Sequence, residues 1–495
     1  MDVTLHLYCH GLGDCILLEL PRRKGAPFRM LIDCGIHTSS KGGTGKIREV
    51  VEDIAKVADR RLDVVIGTHE HWDHISGFSQ ARDLFAEFEI GEIWFSWAEN
   101  PEDPQARELD KFKGEADQAL AEAALRLEAA AGSGGDPDRY GMLADGVDAL
   151  LGFVFGLKGE RSRGAREALR ALGKEVRYFE PGERAPLPED VGDDFKIYVL
   201  APPRDEEMLR IKDRLSETYA AGAAASPTAA VLMNGMAGGE GRLAVDDDPA
   251  SPFAREAGEP LSELLAGKAA EKNQDRAARR ARKENIGFLS AHYAGPAQFL
   301  EKRKKRDRDV PGEDQSWRRI DQDWLGAAAE LALQLDSKTN NTSFVFALEI
   351  VASGRTLIFA ADAQVGSWKS WAGVEFRNAG GEVEKTGADL LRRAIFYKVG
   401  HHASRNATLK QGGLELMTDA DLTAFVPTDE EMAEKVRWHD IPADGLLARL
   451  HEKTGGRVIR SDRIQEEASA AEIASGGSLR SISVALGLKV VVEIG

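Results

Sequence analysis

Leu62-Asp63-Val64-Val65-Ile66-Gly67-Thr68-His69-Glu70-His71-Trp72-Asp73-His74 is the stretch on which the reading of this chain turns. Its first half is apolar and β-branched, which predicts a buried strand ending at Gly67 and Thr68. Three histidines and an aspartate follow within a few positions, spaced H-x-H-x-D-H. In an extended loop alternate side chains share a side, so His69 and His71 can grip one ion. Asp73 and His74 come next and can grip a second ion beside it. Neutral imidazole and carboxylate suit borderline divalent metals such as zinc, iron or manganese. A lone histidine is ordinarily a core or surface residue. A cluster this dense at a strand end has metal-ligand spacing.

Upstream, strands are expected at 3–8, 14–20 and 28–34, with turns at Gly11–Asp14 and Pro21–Pro27. The third ends in Asp33-Cys34-Gly35. Asp33 reads either as a partner that orients a ligand histidine or as a turn aspartate. A helix is expected at 46–60, another at about 75–87 and a strand at 90–97. Alternating strands and helices mean a layered α/β core.

From residue 100 the texture changes. Residues 103–131 read as a long helix, with more helix at 140–157 and 163–172 and short strands at 175–179 and 195–200. The expectation is a mostly helical insertion over 101–335, between a first half at 1–100 and a second at 336–495. Residues 220–260, rich in Ala, Gly, Pro and Asp, read as a flexible stretch. Two basic runs lie in the insertion: 268–283, with Lys268, Lys272, Arg276, Arg279, Arg280, Arg282 and Lys283, and 302–306, Lys-Arg-Lys-Lys-Arg. They read either as solvated helix faces or as a groove for a polyanion, nucleic acid above all. Trp317 and Trp324 beyond them are either core residues or platforms for bases.

After a helix at 320–336 comes Thr339-Asn340-Asn341-Thr342-Ser343, then a strand at 343–351. The next strand, from Thr356, ends at Asp362. A further one, from Ala394, ends in His401-His402-Ala403-Ser404. Three strand ends thus carry metal-competent side chains, the design of a site on one rim of a sheet.

The chain has 495 residues and a net charge of −17. That charge argues against indiscriminate nucleic-acid binding but not against a local basic groove. Cys9, Cys15 and Cys34 are sparse and odd in number, which suits a reducing compartment. With no basic leader segment and no run near the roughly 20 apolar residues of a membrane span, a cytoplasmic protein without membrane contact is expected.

These elements resemble the metallo-β-lactamase superfamily of metallohydrolases. The likeness rests on Gly13-Asp14 with Leu31-Ile32-Asp33-Cys34-Gly35, on the His69–His74 cluster, on Asp362 and on His401-His402-Ala403-Ser404, and covers residues 1–97 and 340–430. Within the superfamily, Asn341-Thr342-Ser343, Ala361-Asp362 and His401–Ser404 are similar to the hydrolase domain of competence DNA-uptake channel proteins, and to soluble bacterial metallohydrolases with the same elements. The resemblance implies an αββα sandwich with two divalent ions at one edge, Zn2+ first and Mn2+ second. It implies His69 and His71 on the first ion, Asp73 and His74 on the second, a bridging Asp362, and His401 completing the second site with His402 behind it or facing substrate. One departure is plain. Most relatives carry a further histidine shortly before the bridging aspartate, where this chain has Asn340 and Asn341; its nearest candidate, His292, lies inside the insertion. The asparagine pair is expected to serve, which would tilt the site toward harder ions such as manganese or magnesium.

The implied chemistry is hydrolysis by a metal-bridged water. Asp73 would orient the water, and Lys398, His402 or Ser404 would steady the developing charge. A phosphodiester is the first choice of substrate, with nucleic acid held through 268–283 and 302–306. The alternatives are a small ester, lactone or amide, and a non-catalytic binding protein with a degenerate site. His6, His10, His37, His439 and His451 lack ligand-like spacing and read as structural.

Overall fold

Val3–Tyr8 (β1), Cys15–Leu20 (β2) and Phe28–Cys34 (β3) pair as an antiparallel meander, since their short connections allow only reversals. Gly43–Val57 (α1) then crosses over, and Arg61–Ile66 (β4) joins β3 in parallel. Trp72–Gln80 (α2) and Arg82–Phe85 (α3) lead to Glu89–Ser96 (β5), parallel to β4. The helix expected over 75–87 is therefore two, broken at Ala81, whose ψ of 31° leaves the helical region. The computed structural model describes residues 2–132, 162–210, 217, 335–435, 441–463, 477–485 and 487–495.

Two further helices, Pro104–Gly132 (α4) and Ser162–Arg170 (α5), precede Glu175–Phe179 (β6), which joins β5 in parallel. A second sheet takes Arg184–Ala185 (β7), Phe195–Ala201 (β8), Val345–Ile350 (β9) and Arg355–Phe359 (β10). Glu375–Arg377 (β11) and Val383–Thr386 (β12) form a separate hairpin. Ala394–Lys398 (β13), Thr423–Val426 (β14) and Val458–Arg460 (β15) complete the second sheet in the order β15-β14-β13-β10-β9-β8-β7. Leu479–Ala485 (β16) and Lys489–Ile494 (β17) return to the first, whose order is β16-β17-β1-β2-β3-β4-β5-β6.

Alternating side chains sort into layers. One apolar cluster lies between the sheets and takes Leu5, Ile16 and Ile66 from the first and Ile197, Phe346 and Phe359 from the second. A second packs α1 and α2 on the outer face of the first sheet through Val51, Ile54, Ile75 and Phe78. A third packs Trp368, Trp371, Leu446 and Leu450 on the outer face of the second. The result is the αββα layering of the metallo-β-lactamase fold. Among the described residues, no helix is long and apolar enough to cross a membrane.

One compact unit comprises Met1–Gly114, Ala149–Ala224 and Leu333–Gly495; the other comprises Glu115–Asp148 and Ala225–Ala332. Strands β6 and β8, expected as short strands within the insertion, and β7, which the sequence reading did not foresee, are members of the two sheets. β8 pairs with β9 from Phe195 opposite Ile350 to Ala201 opposite Val345. The expected helix at 140–157, the 220–260 stretch, both basic runs, His292, Trp317, Trp324 and His439 lie outside the described residues.

Candidate metal centre

The site sits at the C-terminal ends of β3, β4, β10, β13 and β14, on one rim of the sandwich, where such layered sheets commonly bind ligands. The backbone there is unusual. Asp33, Ala361, His401, His402 and Ala403 have φ of 55°, 46°, 43°, 53° and 61°, a left-handed region that non-glycine residues rarely enter and that clusters at functional sites. The metal loop is seated by close backbone contact. Asp14 N donates to Asp73 O at 3.0 Å, and Gly35 N donates to Asp14 O at 3.1 Å. A Cβ on Gly35 would lie 2.3 Å from the Asp73 carbonyl carbon and from His74 N, so only glycine fits.

Four side chains, Asp73, His74, Asp362 and His402, bring one ligand atom each within 4.8 Å of one another, all buried. His402 Nε2 is 2.9 Å from Asp73 Oδ2, and His74 Nε2 is 3.2 Å from Asp362 Oδ2. Beside them His69 Nε2 and His71 Nδ1 lie 3.1 Å apart. Two bonds of about 2.0–2.1 Å from one ion would span such a gap.

Hydrogen bonding fixes which ring nitrogen faces inward. Thr68 Oγ1 gives its proton to Asp33 Oδ2 at 2.6 Å and so accepts from His69 Nδ1 at 3.1 Å. His74 Nδ1 donates to Asp33 Oδ2 at 2.7 Å, which gives Asp33 the orienting part. His402 Nδ1 donates to the Pro427 carbonyl at 2.8 Å. In each case Nε2 is the atom turned to the cluster.

The charges fit a cation. Burial alone would lower the pKa of His74, yet Asp362, Asp73, Asp14 and Asp33 raise it well above the usual histidine value. His402 is raised in the same way, burial being outweighed by Asp362 and Asp73. His69 and His71 go down, mainly by burial, so their lone pairs stay available. Among the described residues, Asp14, Asp33, Asp73 and Asp362 thus gather about one ammonium, that of Lys398. Asp73 Oδ1 is buried and meets no hydrogen-bond partner among the described residues, an arrangement costly without a cation. Imidazole and carboxylate donors suit a borderline divalent ion, so the residues fit the metal that the fold implies.

Several expectations change. His402, not His401, stands in the four-residue group. Reading His401 as the ligand assumes the strand continues past Gly400, but the left-handed turn swings the second histidine inward. His401 instead donates through Nδ1 to Ser404 Oγ at 2.7 Å, and Ser404 donates to Asn406 Oδ1 at 2.8 Å. Lys398 is buried at 2 % exposure and committed to the protein. It donates to the Ala361 carbonyl at 2.7 Å, pairs with Asp14 and lies 3.4 Å from Asp362 Oδ1. In this arrangement it braces Asp362. Asn341 Oδ1 accepts from Ser367 N at 3.0 Å and its amide donates to the Leu209 carbonyl at 3.3 Å, so this side chain ties loops together. Asn340 donates to Asp336 and His401.

Motif reading gives no site role to three further groups. Asp14 forms a second cluster with Asp33 and His74; its signal is its place in the Gly11–Asp14 turn. Glu70, between two of the histidines, is buried and pairs with Lys113 at 2.9 Å and Arg166 at 2.9 Å. Asp336 lies 4.0 Å from His71.

Comparison with known proteins agrees with this geometry in part of the chain. Residues 12–139 match the family model described as the Metallo-beta-lactamase superfamily. That span holds the Gly13-Asp14 turn, Asp33 and the whole His69–His74 cluster. No curated protein matches the chain.

Proposed function

We propose that this chain is a metal-dependent hydrolase acting on a phosphodiester. The convergence of Asp73, His74, Asp362 and His402 beside the His69–His71 pair carries the reading. Bound divalent ions supply Lewis acidity to a substrate oxygen, Zn2+ being the first choice and Mn2+ the second. The chain's own residues do the rest. Asp33, Thr68 and the Pro427 carbonyl hold the imidazoles in one tautomer. Asp73 and Asp362 present carboxylate oxygens to the same space, and His74, then His402 and Lys398, outweigh burial and keep Asp362 ionised. Burial of the whole group limits water and strengthens each charge interaction.

The substrate class is supported by the basic runs at 268–283 and 302–306, and by the likeness of Asn341–Ser343, Asp362 and His401–Ser404 to the hydrolase domain of DNA-uptake channels. A small ester, lactone or amide is the second reading, favoured by the net charge of −17. Cys9, Cys15 and Cys34 form no disulfide, which supports a cytoplasmic location.

The test pairs metal content with turnover. Purified protein is assayed by elemental analysis and on a chromogenic phosphodiester, a single-stranded oligonucleotide and a panel of lactones and esters, with zinc or manganese. About two ions per chain and cleavage of the diester support the reading, and a nucleic-acid substrate adds a steep loss of affinity with salt. Turnover of lactones or esters alone moves the assignment to the second reading. Ions bound without any turnover leave a binding protein.

A further inference from the structure

Asp336 belongs to a helical turn, residues 335–341, just before β9. Its carboxylate is clamped on one side. Asn340 Nδ2 donates to Oδ2 at 3.2 Å, and Gln364 Nε2 donates to the same oxygen at 3.4 Å. The other oxygen, Oδ1, is buried, meets no hydrogen-bond partner and faces His71 Nε2 at 4.0 Å.

The rest of the site gives that contact its meaning. His69, His74 and His402 each turn one nitrogen to the cluster and tie the other to Thr68, Asp33 or the Pro427 carbonyl. At His71 the inward atom is Nδ1, opposite His69 Nε2. A neutral imidazole with a ligating Nδ1 carries its one proton on Nε2. The group that this N–H faces is Asp336 Oδ1. Asp336 is also the charge that does most to offset burial at His71.

We propose that Asp336 is the positioning carboxylate of His71, doing for the first ion what Asp33 does for the second through His74. This rests on the metal-site reading above. It also gives Asn340 a task other than ligation: its amide, with that of Gln364, holds Asp336 in place. Among the described residues the first site has two imidazoles, so it depends on how well they are oriented, and outer carboxylates tune metal affinity by about 10–100-fold.

The test uses the full-length protein stripped with chelator and titrated with Co2+, wild type beside Asp336→Asn and Asp336→Glu. Long-range 1H–15N spectra of 15N-histidine-labelled, Zn2+-loaded protein report solvent exchange of the His71 Nε2–H. The expected result is an Nε2–H protected from exchange in wild type and exchanging faster in Asp336→Asn. One of two Co2+ ions weakens about 10–100-fold in that variant, while the other ion and the melting temperature of stripped protein hold. If Asp336→Asn does not fold, Asp336→Glu carries the test: protection kept there supports the inference and protection lost overturns it. Unchanged exchange and an unchanged Co2+ titration in Asp336→Asn overturn the inference alone. Wild type that binds no Co2+ overturns the metal-site reading and this inference with it.

Discussion

His402 Nε2 lies 2.9 Å from Asp73 Oδ2, joining two residues 329 positions apart in the chain. The contact closes the site across the sandwich, since Asp73 follows β4 in the first sheet and His402 follows β13 in the second. His401, its neighbour, reaches Ser404 and Asn340. His402→Ala is therefore expected to weaken one ion by more than the roughly 10–100-fold of an outer partner. His401→Ala should leave both ions bound. Elemental analysis after gel filtration separates the two, and equal losses would remove the distinction drawn between them.

That distinction marks where the sequence stops being legible. The strand ends bearing His69–His74, Asp362 and His401-His402 could be read because β-branched runs and ligand spacing are local patterns. Choosing between adjacent histidines depends on a backbone turn with φ of 43° and 53°, which no local pattern announces. Asp336 was invisible for another reason: it is an ordinary helix residue until tertiary packing brings His71 to it. Glu175–Phe179 and Phe195–Ala201 read as strands from local pattern, but their membership of the two sheets is a matter of long-range pairing.

Arg166 on α5 ties down the metal loop from a distance. Its Nη1 donates to Glu70 at 2.9 Å and to Glu99 at 2.8 Å, and its side chain is 9 % exposed. Removing one member of a buried charge group leaves the others uncompensated, at about 3–5 kcal/mol. Arg166→Met should lose about that much in urea unfolding, and a much smaller loss would show that Lys113 alone satisfies both glutamates. Weaker metal binding is expected alongside, because Glu70 sits between His69 and His71.

Glu70 also sets an acid limit. Burial alone would raise its pKa, but Lys113 and then Arg166 hold it at about 2, against an ordinary 4.5. A carboxylate with a depressed folded pKa stabilises fully above its unfolded value and loses that stabilisation as pH falls toward the folded one. In chelator, the wild-type urea midpoint should therefore fall more steeply below pH 4.5 than that of Glu70→Gln, with the difference growing toward pH 2. Parallel curves would assign the acid limb to other groups.

Gly35 shows how little slack the loop has. A Cβ there would sit 2.3 Å from the Asp73 carbonyl carbon and 2.5 Å from its oxygen. Neither is a side-chain tip that can swing aside, so the loop carrying Asp73 and His74 must move. Gly35→Ala should cost at least the upper end of the about 1–3 kcal/mol usual for overpacking, and it should lower metal content in the protein that still folds. Gly45→Ala is the control: nothing lies within 4 Å of its added Cβ, and it sits inside α1. Helix propensity makes that change neutral or stabilising by up to about 1 kcal/mol. Similar melting temperatures and metal contents in the two variants would mean that the Gly35–Asp73 contact does not seat the ligands.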